Sequence, residues 1–421
     1  MSTPIRVLHC GDAYLGSPFA GVKARSSERR RHDARQTMKT VLRYVAEQHI
    51  DIVLLSGNLL DFDYVPYDTA LVLMEEIERI KDTHFFISPG KYDACEKDSF
   101  YRVYAMPENC HVFLGDLERI YLPEKGVAVY GWGMGGSKTG LCPLERPLPR
   151  QEGEISLVCG YVDGDMQSGI CVTPEHIAES GAAYVGLSCG ESFDGFTQLG
   201  NTLFAVSGPL EAGSFMDKGF GGGNLIRIYT EPVDQAELQT EKEGEEEEKQ
   251  LSIFEDEADE TPSKDEQNGE NPLPIFQVGG VNVDVERLLF GERRYVTEVL
   301  DISHFSKPEE IEATLRRIVQ EKDYGKETAL CIIYEGQTTP DFFPPIFHDE
   351  ASWGLAELIT IDKSIPSQGA GEYAKDMSIR GELVRAMMPV ITGGDEKSKE
   401  NAIKALRIAF TALDNGDISH V

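Results

Sequence analysis

Short apolar runs alternate with polar, glycine-containing loops along the first 230 residues. The runs, which the pattern predicts to be strands, are Ile5–Cys10, Ile52–Ser56, Phe85–Ser88, Val127–Tyr130, Ile155–Cys159, Ala183–Leu187 and Leu203–Val206. Longer segments with apolar residues at helical spacing separate several of them, as in Ala34–Gln48 and Ala70–Lys81. Alternating strands and helices predict an α/β layered fold, in which ligands bind beyond the carboxyl ends of the strands.

The chain changes character between Glu231 and about Pro274. The stretch 231–272 holds 17 acidic and 3 basic residues and has almost no aromatic residue. Such a segment cannot bury enough apolar surface to offset the entropy lost on ordering, so we expect a disordered linker. Order is expected to resume near Arg293. The elements predicted beyond it are strands at Tyr295–Ile302, Ala329–Tyr334 and Leu355–Ile361, and helices at Pro308–Glu321, Ser378–Met388 and Lys397–Leu413.

These patterns predict four parts. They are a large domain at 1–230, the acidic linker at 231–274, a small α/β module at 275–346 and a C-terminal segment at 347–421. The last segment either docks a partner or completes the core of this chain. Both readings rest on its apolar residues at helical spacing, which are Ile379, Leu383, Val384, Met387 and Met388.

Composition limits which cellular compartment and which class of partner can be expected. No apolar run is long enough to span a bilayer, the first 16 residues lack the pattern of a signal peptide, and the eight cysteines form no CxxC pair. We therefore expect a cytoplasmic protein with reduced thiols and no membrane association. The net charge of −32 opposes binding to phosphates, so DNA is expected to bind only weakly or through a partner.

Five loops, each expected to follow a strand, carry the candidate chemistry. They read Gly11-Asp12-Ala13-Tyr14-Leu15-Gly16, Gly57-Asn58-Leu59-Leu60-Asp61, Gly90-Lys91-Tyr92-Asp93, Cys159-Gly160 and Ser188-Cys189-Gly190-Glu191. In order and spacing they resemble the loops of calcineurin-like metallophosphoesterases, most closely the SbcD branch of DNA repair exonucleases. The stretch Met377–Arg385 is similar to bacterial members of the YhaO type. The resemblance implies a sandwich of two sheets flanked by helices, a small α/β cap module and a C-terminal helical segment.

The resemblance also identifies the positions at which family members bind two manganese ions. Of the seven ligand positions only Asp12 keeps its family identity. A neutral amide at Asn58 cannot bridge two dications, and the cation of Lys91 lies in or beside the second metal position. Tyr92 replaces the histidine that protonates the leaving group, and an ordinary tyrosine pKa near 10 suits it poorly for that role. The other substituted positions are Tyr14, Cys159, Cys189 and Glu191.

We therefore predict a degenerate site with no catalytic residue, no metal and no cofactor. In this interpretation Lys91 can neutralise part of the charge of Asp12 and Glu191 if the three residues face each other. The chain is then a catalytically inactive SbcD-like protein that acts as a binding or scaffold subunit in DNA repair or replication-linked DNA processing.

Two other interpretations remain open. In the first, the chain is an active metal-dependent phosphodiesterase or DNA exonuclease with one ion held by Asp12, Cys159, Cys189 and Glu191. In the second, Lys91 and Tyr92 bind a nucleotide or another phosphate without hydrolysing it.

Two partners are predicted. Family members work with a coiled-coil ATPase of the SbcC type, which is expected to dock on the part from about Leu355 to Leu413. Within the acidic linker, Gln250-Leu251-Ser252-Ile253-Phe254 resembles the pentapeptide by which bacterial proteins bind the replication sliding clamp. A disordered segment can place such apolar side chains in a groove of a partner.

Overall fold

The computed structural model describes residues 3–18, 24–135, 142–163, 169–217, 219–231, 275–338, 342, 344–347, 350–366 and 376–413. The chain forms two compact units, Met1–Glu292 and Arg293–Val421. The predicted linker falls outside the described residues except for Glu231, and the pentapeptide at 250–254 lies wholly outside them. Its disorder and the four-part division therefore stay predictions.

The first unit alternates strands and helices. Its elements are β1 (Ile5–Gly11), α1 (Ala24–Glu47), β2 (Ile52–Ser56), α2 (Tyr67–Arg79), β3 (His84–Ser88), α3 (Phe100–Val103), β4 (Cys110–Val112), β5 (Glu118–Leu122), β6 (Val127–Gly131), β7 (Ile155–Tyr161), α4 (Pro174–Glu179), β8 (Tyr184–Ser188), β9 (Thr197–Leu199), β10 (Thr202–Val206), β11 (Gly219–Tyr229), β12 (Phe276–Val278) and the first part of β13 (Val281–Asp301).

Two mixed sheets form this unit. In one, the order is β13-β11-β1-β2-β3-β4, with β1 to β4 parallel and β11 antiparallel to β1. In the other, the order is β5-β6-β7-β8-β10-β9, with a parallel centre from β6 to β10 and antiparallel edges. Because β1, β2 and β3 are parallel, the loops that follow them share one edge of their sheet.

The core has three layers of apolar contacts. Side chains of the two sheets meet in a buried cluster that includes Val7, Leu54 and Leu157. The outer face of the first sheet packs on α1 and α2. The outer face of the second sheet packs on α4. The unit is thus a mixed α/β structure in which two sheets are flanked by helices.

The second unit is built on a parallel sheet. Its elements are the last part of β13, α5 (Pro308–Glu321), β14 (Thr328–Glu335), β15 (Gln337–Thr338), a 3-10 turn (Glu350–Trp353), β16 (Glu357–Asp362), β17 (Ile365–Pro366), α6 (Ile379–Gly393) and α7 (Glu396–Leu413). β13, β14 and β16 are parallel neighbours, and the buried face of α5 packs on them. α6 and α7 form a separate apolar cluster with each other. Among the described residues, no helix is long and apolar enough to cross a membrane.

The seven strands predicted in the first 230 residues are confirmed to within one or two residues at each end, and the helix predicted at Pro308–Glu321 has those bounds. The expectation that order resumes near Arg293 is wrong, because β12 begins at Phe276 and β13 at Val281. β11 was not predicted because its sequence begins with a run of glycines. These glycines permit close approach of two backbones: a Cβ on Gly222 would lie 2.0 Å from the carbonyl oxygen of Leu288.

Candidate functional site

The loops after four strands bring part of the predicted site together. Asp12 follows β1, Asn58 follows β2, and Lys91 follows β3 after two intervening residues. Ser188 ends β8 of the other sheet, and its side chain reaches Asp12. The candidate site therefore lies where one edge of the first sheet meets the end of a strand of the second. This is the position at which ligands bind in α/β folds.

Asp12 is buried and its carboxylate is saturated with donors. Its Oδ1 accepts from the side-chain amide of Asn58 at 2.7 Å. Its Oδ2 accepts from the Ser188 hydroxyl at 2.5 Å and from the backbone N–H of Gly190 at 3.0 Å. Burial raises the pKa of Asp12, and the hydrogen bonds from Ser188, Asn58 and Gly190 oppose that rise. Both oxygens thus already have hydrogen-bond partners within the chain.

Asn58 is held by both ends of its side chain. Its amide nitrogen donates to Asp12 and, at 3.3 Å, to the hydroxyl of Tyr14. Its amide oxygen accepts from the backbone N–H of Tyr92 at 3.0 Å. Because Asn58 is only 1% exposed, these bonds fix which end of the amide faces Asp12. An N–H donor therefore points to the place where a two-metal centre would need a bridging carboxylate oxygen.

Asp93 holds the loops after β2 and β3 together by hydrogen bonds. Burial raises its pKa to about 6, while the hydrogen bonds that it accepts act in the opposite direction. Its oxygens accept from five donors: the backbone N–H groups of Asn58, Leu59, Leu60 and Gly90 and the hydroxyl of Tyr101. This residue is a structural element of the site rather than a group that faces a ligand.

The backbone of the site is strained. Asp12, Tyr14 and Asn58 have φ angles of 50°, 46° and 50°, in the left-handed region that residues with a side chain rarely adopt. Strain of this kind concentrates at functional sites, because the surrounding structure must enforce it. The loops after β1 and β2 therefore have a backbone conformation that the surrounding hydrogen bonds must hold.

Three tyrosines surround this cluster. The rings of Tyr14 and Tyr92 meet edge to face with centroids 5.3 Å apart, and 48% of Tyr92 is exposed. Tyr161, at the end of β7, lies against Gly57, where a Cβ would come within 2.4 Å of its ring. Burial raises the pKa of Tyr14 and of Tyr161, so both hydroxyls stay protonated at neutral pH.

The predicted contact of Lys91 with the two carboxylates is wrong. Lys91 and Glu191 are both exposed, and within the described part of the chain Lys91 makes no ion pair with Asp12 or Glu191. The physical reason is that Asp12 already accepts from Asn58, Ser188 and Gly190. A long, strongly hydrated cation gains more from solvent than from a saturated carboxylate.

The two cysteines of the single-ion alternative lie in different surroundings. Cys159 is inside β7 rather than in a loop, and it is fully buried in the cluster between the sheets. Burial raises its pKa, and it also raises the pKa of Cys189 to about 11. Among the described residues, no three His, Cys, Asp or Glu side chains are grouped so that they could hold a metal ion. The structure therefore does not assemble the four residues of that alternative.

The donor set does not fit two manganese ions. Manganese prefers carboxylate, imidazole and water ligands, and a two-metal centre needs a carboxylate between the ions. Here an amide N–H and a hydroxyl face the carboxylate of Asp12, and fully buried Cys159 contacts the carbonyl oxygen of Phe86 at 3.8 Å. No step through a metal follows from this arrangement.

Sequence reasoning did not foresee the roles of Ser188 and Tyr161. In the sequence Ser188 is only a neighbour of a ligand position, yet its hydroxyl is the donor that connects β8 to Asp12. A polar residue at the last position of a buried strand was the available signal. The sequence around Tyr161 gave no sign of its role, because its contact with Gly57 depends on how the two sheets approach each other.

Comparison with known proteins identifies no family for the chain. No protein-family model matches it. No curated protein matches it. Among solved structures, the crystal structure of TT1561 of Thermus thermophilus is similar, with 13% sequence identity and a TM-score of 0.33. That match covers 49% of this chain and 91% of TT1561. A similarity at this level carries no inference about function.

Proposed function

We propose that the chain has the calcineurin-like metallophosphoesterase sandwich and is a catalytically inactive relative of the SbcD-type nucleases. The observation that carries the proposal is the 2.7 Å hydrogen bond from the amide of Asn58 to Asp12. It places a donor where the chemistry of the resembled family needs a carboxylate that bridges two cations. Hydrolysis of a phosphodiester through a metal-activated water has no support in such a cluster.

The polar cluster around Asp12 and Asp93 supports a role without catalysis. The loops keep the strained conformations at Asp12, Tyr14 and Asn58, and Asp93 keeps five donors around it. A polar cluster that satisfies its own hydrogen bonds stabilises the fold without a metal. We infer a cytoplasmic binding or scaffold subunit in DNA repair or replication-linked DNA processing.

The test is an assay for metal and for hydrolysis on the same purified chain. Bound Mn, Fe and Zn are measured by elemental analysis, and a linear duplex and a generic phosphodiester are incubated with the chain in the presence of manganese. We expect less than stoichiometric metal and no hydrolysis above that of the Asp12→Ala variant. Two equivalents of metal, or hydrolysis that this substitution abolishes, contradict the proposal.

We propose that an SbcC-type ATPase docks at the start of α6, because the other apolar residues that suggested docking, Leu383, Val384, Met387 and Met388, pack within the hairpin of α6 and α7. Val384 and Ile391 of α6 pack against Ala402 and Leu406 of α7, so one face of each helix is already buried within the hairpin. Ile379, at the start of α6, remains 67% exposed. Met377, two residues before it, is 93% exposed, so two neighbouring apolar side chains at this end of the helix are open to a partner. The clamp-binding pentapeptide at 250–254 lies outside the described residues, and its role rests on the sequence.

A further inference from the structure

The solvent side of α1 carries a row of basic side chains. With about 100° of rotation per residue, Arg29, His32, Arg35, Lys39 and Arg43 fall within about 120° of the helix circumference. Arg35 is half-exposed and the other four are exposed. We call these five residues the basic face. At 1.5 Å per residue it is about 21 Å long.

The carboxylates of α1 do not neutralise the basic face. Between Arg29 and Arg43 the sequence has one carboxylate, that of Asp33, which lies on another side of the helix. Glu28 and Glu47 lie beyond the two ends of the basic face. Within the described part of the chain, no residue of the basic face forms an ion pair. Exposed arginines of α2 and α5, by contrast, pair with carboxylates of their own helices.

The order of charges along α1 lowers the stability of this helix. Its first turn has no acidic residue and its last turn has no basic residue, while most of its arginines lie in the N-terminal half. The helix dipole favours the opposite order. Arg35, Lys39 and Arg43 are spaced four residues apart, so like charges are neighbours on the helix surface. An anionic partner would relieve both effects, and the charge order therefore points to such a partner.

The acidic stretch 231–272 begins beside the C-terminal end of α1. Ile228 of β11 pairs with the first residue of β1. The guanidinium of the next residue of β1, Arg6, donates at 2.9 Å to the carbonyl oxygen of Gln48, which directly follows α1. The chain that follows the stretch returns to the same place, because the side-chain amide of Asn282 in β13 donates at 3.3 Å to the carbonyl oxygen of Glu231. Both ends of the stretch are therefore attached at the sheet edge where α1 ends.

Charge and length make this stretch the partner that fits the basic face. It holds 17 acidic and 3 basic residues. At about 3.3 Å per extended residue it is several times longer than the basic face. A tethered segment is also present at high effective concentration, whereas a nucleic acid would have to approach a chain with a net charge of −32. We propose that the basic face of α1 is a docking surface for an acidic peptide, and that its occupant is the stretch 231–272 of the same chain.

Zero-length cross-linking of the full-length chain tests the proposal. A carbodiimide joins an amine to a carboxylate that it contacts, and Lys39 is the lysine of the basic face. Mass spectrometry should find peptides that join Lys39 to carboxylates of 231–272, about threefold or more above those of Lys91, which is exposed in the loop after β3. The yield at Lys39 should fall at high salt, because salt screens exposed charges. Equal yields at the two lysines, or a yield at Lys39 that salt does not change, overturn the proposal.

Charge reversal at the ends of the basic face tests the location. Arg29→Glu combined with Arg43→Glu keeps Lys39 as the reporter and should lower its cross-linking to the stretch about threefold or more. Arg79→Glu combined with Arg146→Glu is the control, because it reverses two exposed arginines outside α1. All four positions are exposed, so both variants should keep the circular dichroism of the unmodified chain. Equal cross-linking by the two double variants shows that the proposed location is wrong.

Two further arms of the experiment distinguish other occupants. An equal mixture of unlabelled and isotopically labelled chain shows whether the cross-linked peptides come from one copy, as we expect, or from two. A linear DNA duplex added in equimolar amount should leave the cross-link at Lys39 in place. Peptides that join a labelled to an unlabelled copy as often as chance allows, or loss of the cross-link to the duplex, contradict docking of the chain's own acidic stretch.

Discussion

The side-chain amide of Asn58 donates a hydrogen bond of 2.7 Å to the carboxylate of Asp12, and both residues are 1% exposed. Two carboxylates at this separation would require a cation or a shared proton between them. An amide and a carboxylate require neither, because the donor and the acceptor satisfy each other. This pair is therefore a self-contained polar contact that needs no metal ion.

Asp12→Ala should destabilise the chain even when a chelator is present. The substitution leaves Asn58, Ser188 and Gly190 without their acceptor, and each buried unpaired donor costs about 1–3 kcal/mol. We expect the free energy of unfolding, measured with urea, to fall by about 2 kcal/mol or more. In a site built for metal, loss of the carboxylate would leave the metal-free protein unchanged or more stable. An unaltered urea midpoint for this variant would contradict our interpretation.

Asn58→Asp should introduce a destabilisation that depends on pH. The new carboxylate would lie against Asp12, so the pair would hold a proton in the folded chain at a pH where unfolded aspartate is ionised. The folded variant then binds more protons than the unfolded one, and its stability rises as the pH falls. Against the unmodified chain, we expect a deficit of about 1–3 kcal/mol at pH 7.5 that becomes smaller at pH 5. Asn58→Leu, which carries no charge, should show a deficit that changes little with pH.

His9 should make the chain sensitive to acid. Its imidazole is fully buried between Tyr184 and Ser56, each at 2.7 Å. Burial, with a smaller contribution from the charge of Arg287, lowers its pKa to about 3. Unfolded histidine gains a proton near pH 6.5 and the folded residue does not, so this contribution to stability is present above pH 6.5 and is lost as the pH falls towards 3.

The comparison with His9→Gln isolates that effect. As the pH falls from 6 to 4, the unmodified chain should lose stability relative to the variant. The loss should reach up to about 1.4 kcal/mol of unfolding free energy per pH unit. Urea titrations at several pH values measure it. Parallel profiles for the two proteins would show that His9 does not titrate on unfolding.

Within the first 230 residues, the strands that the sequence predicted are those whose residues are mostly buried. β2 and β7 are buried at every position, so a continuous apolar run marks them. β5 and β11 escaped prediction for different reasons. β5 is an edge strand with mostly half-exposed residues, and the glycines of β11 are selected by close contact with β13. Such contacts join residues far apart in sequence, and local pattern does not record them.

The site was predictable in its loops but not in its contacts. The sequence placed Asp12 and Asn58 in loops that follow two predicted strands, and in the structure a hydrogen bond joins the two side chains. The orientation of the Asn58 amide depends on Tyr92 and Tyr14, and the exposure of Lys91 depends on the donors that saturate Asp12. These are consequences of three-dimensional competition for hydrogen bonds, and residue type alone does not determine them.

Ile379→Asp should weaken docking of an SbcC-type ATPase without unfolding the chain. Ile379 is 67% exposed, so a charge there is solvated in the free protein, whereas it would be buried in an apolar interface. Co-purification of the ATPase with the full-length chain measures the effect. Ala386→Asp, at an exposed position of the same helix, adds the same single negative charge and is the control. Co-purification that is unchanged by Ile379→Asp would contradict docking through this end of α6.

The pentapeptide Gln250-Leu251-Ser252-Ile253-Phe254 should bind a bacterial sliding clamp through its apolar side chains. The entropy lost when a peptide becomes ordered on binding offsets part of the contact energy, so we expect a dissociation constant in the micromolar range, of order 1–100 μM. Titration of the clamp with the full-length chain and with a peptide spanning 244–262 measures it. Replacing both Leu251 and Phe254 with Ala should abolish binding, because these two side chains supply most of the apolar surface. Ser252→Ala should change the affinity little. Equal affinity for the unmodified and doubly substituted peptides, or no binding by either, would exclude the clamp as a partner.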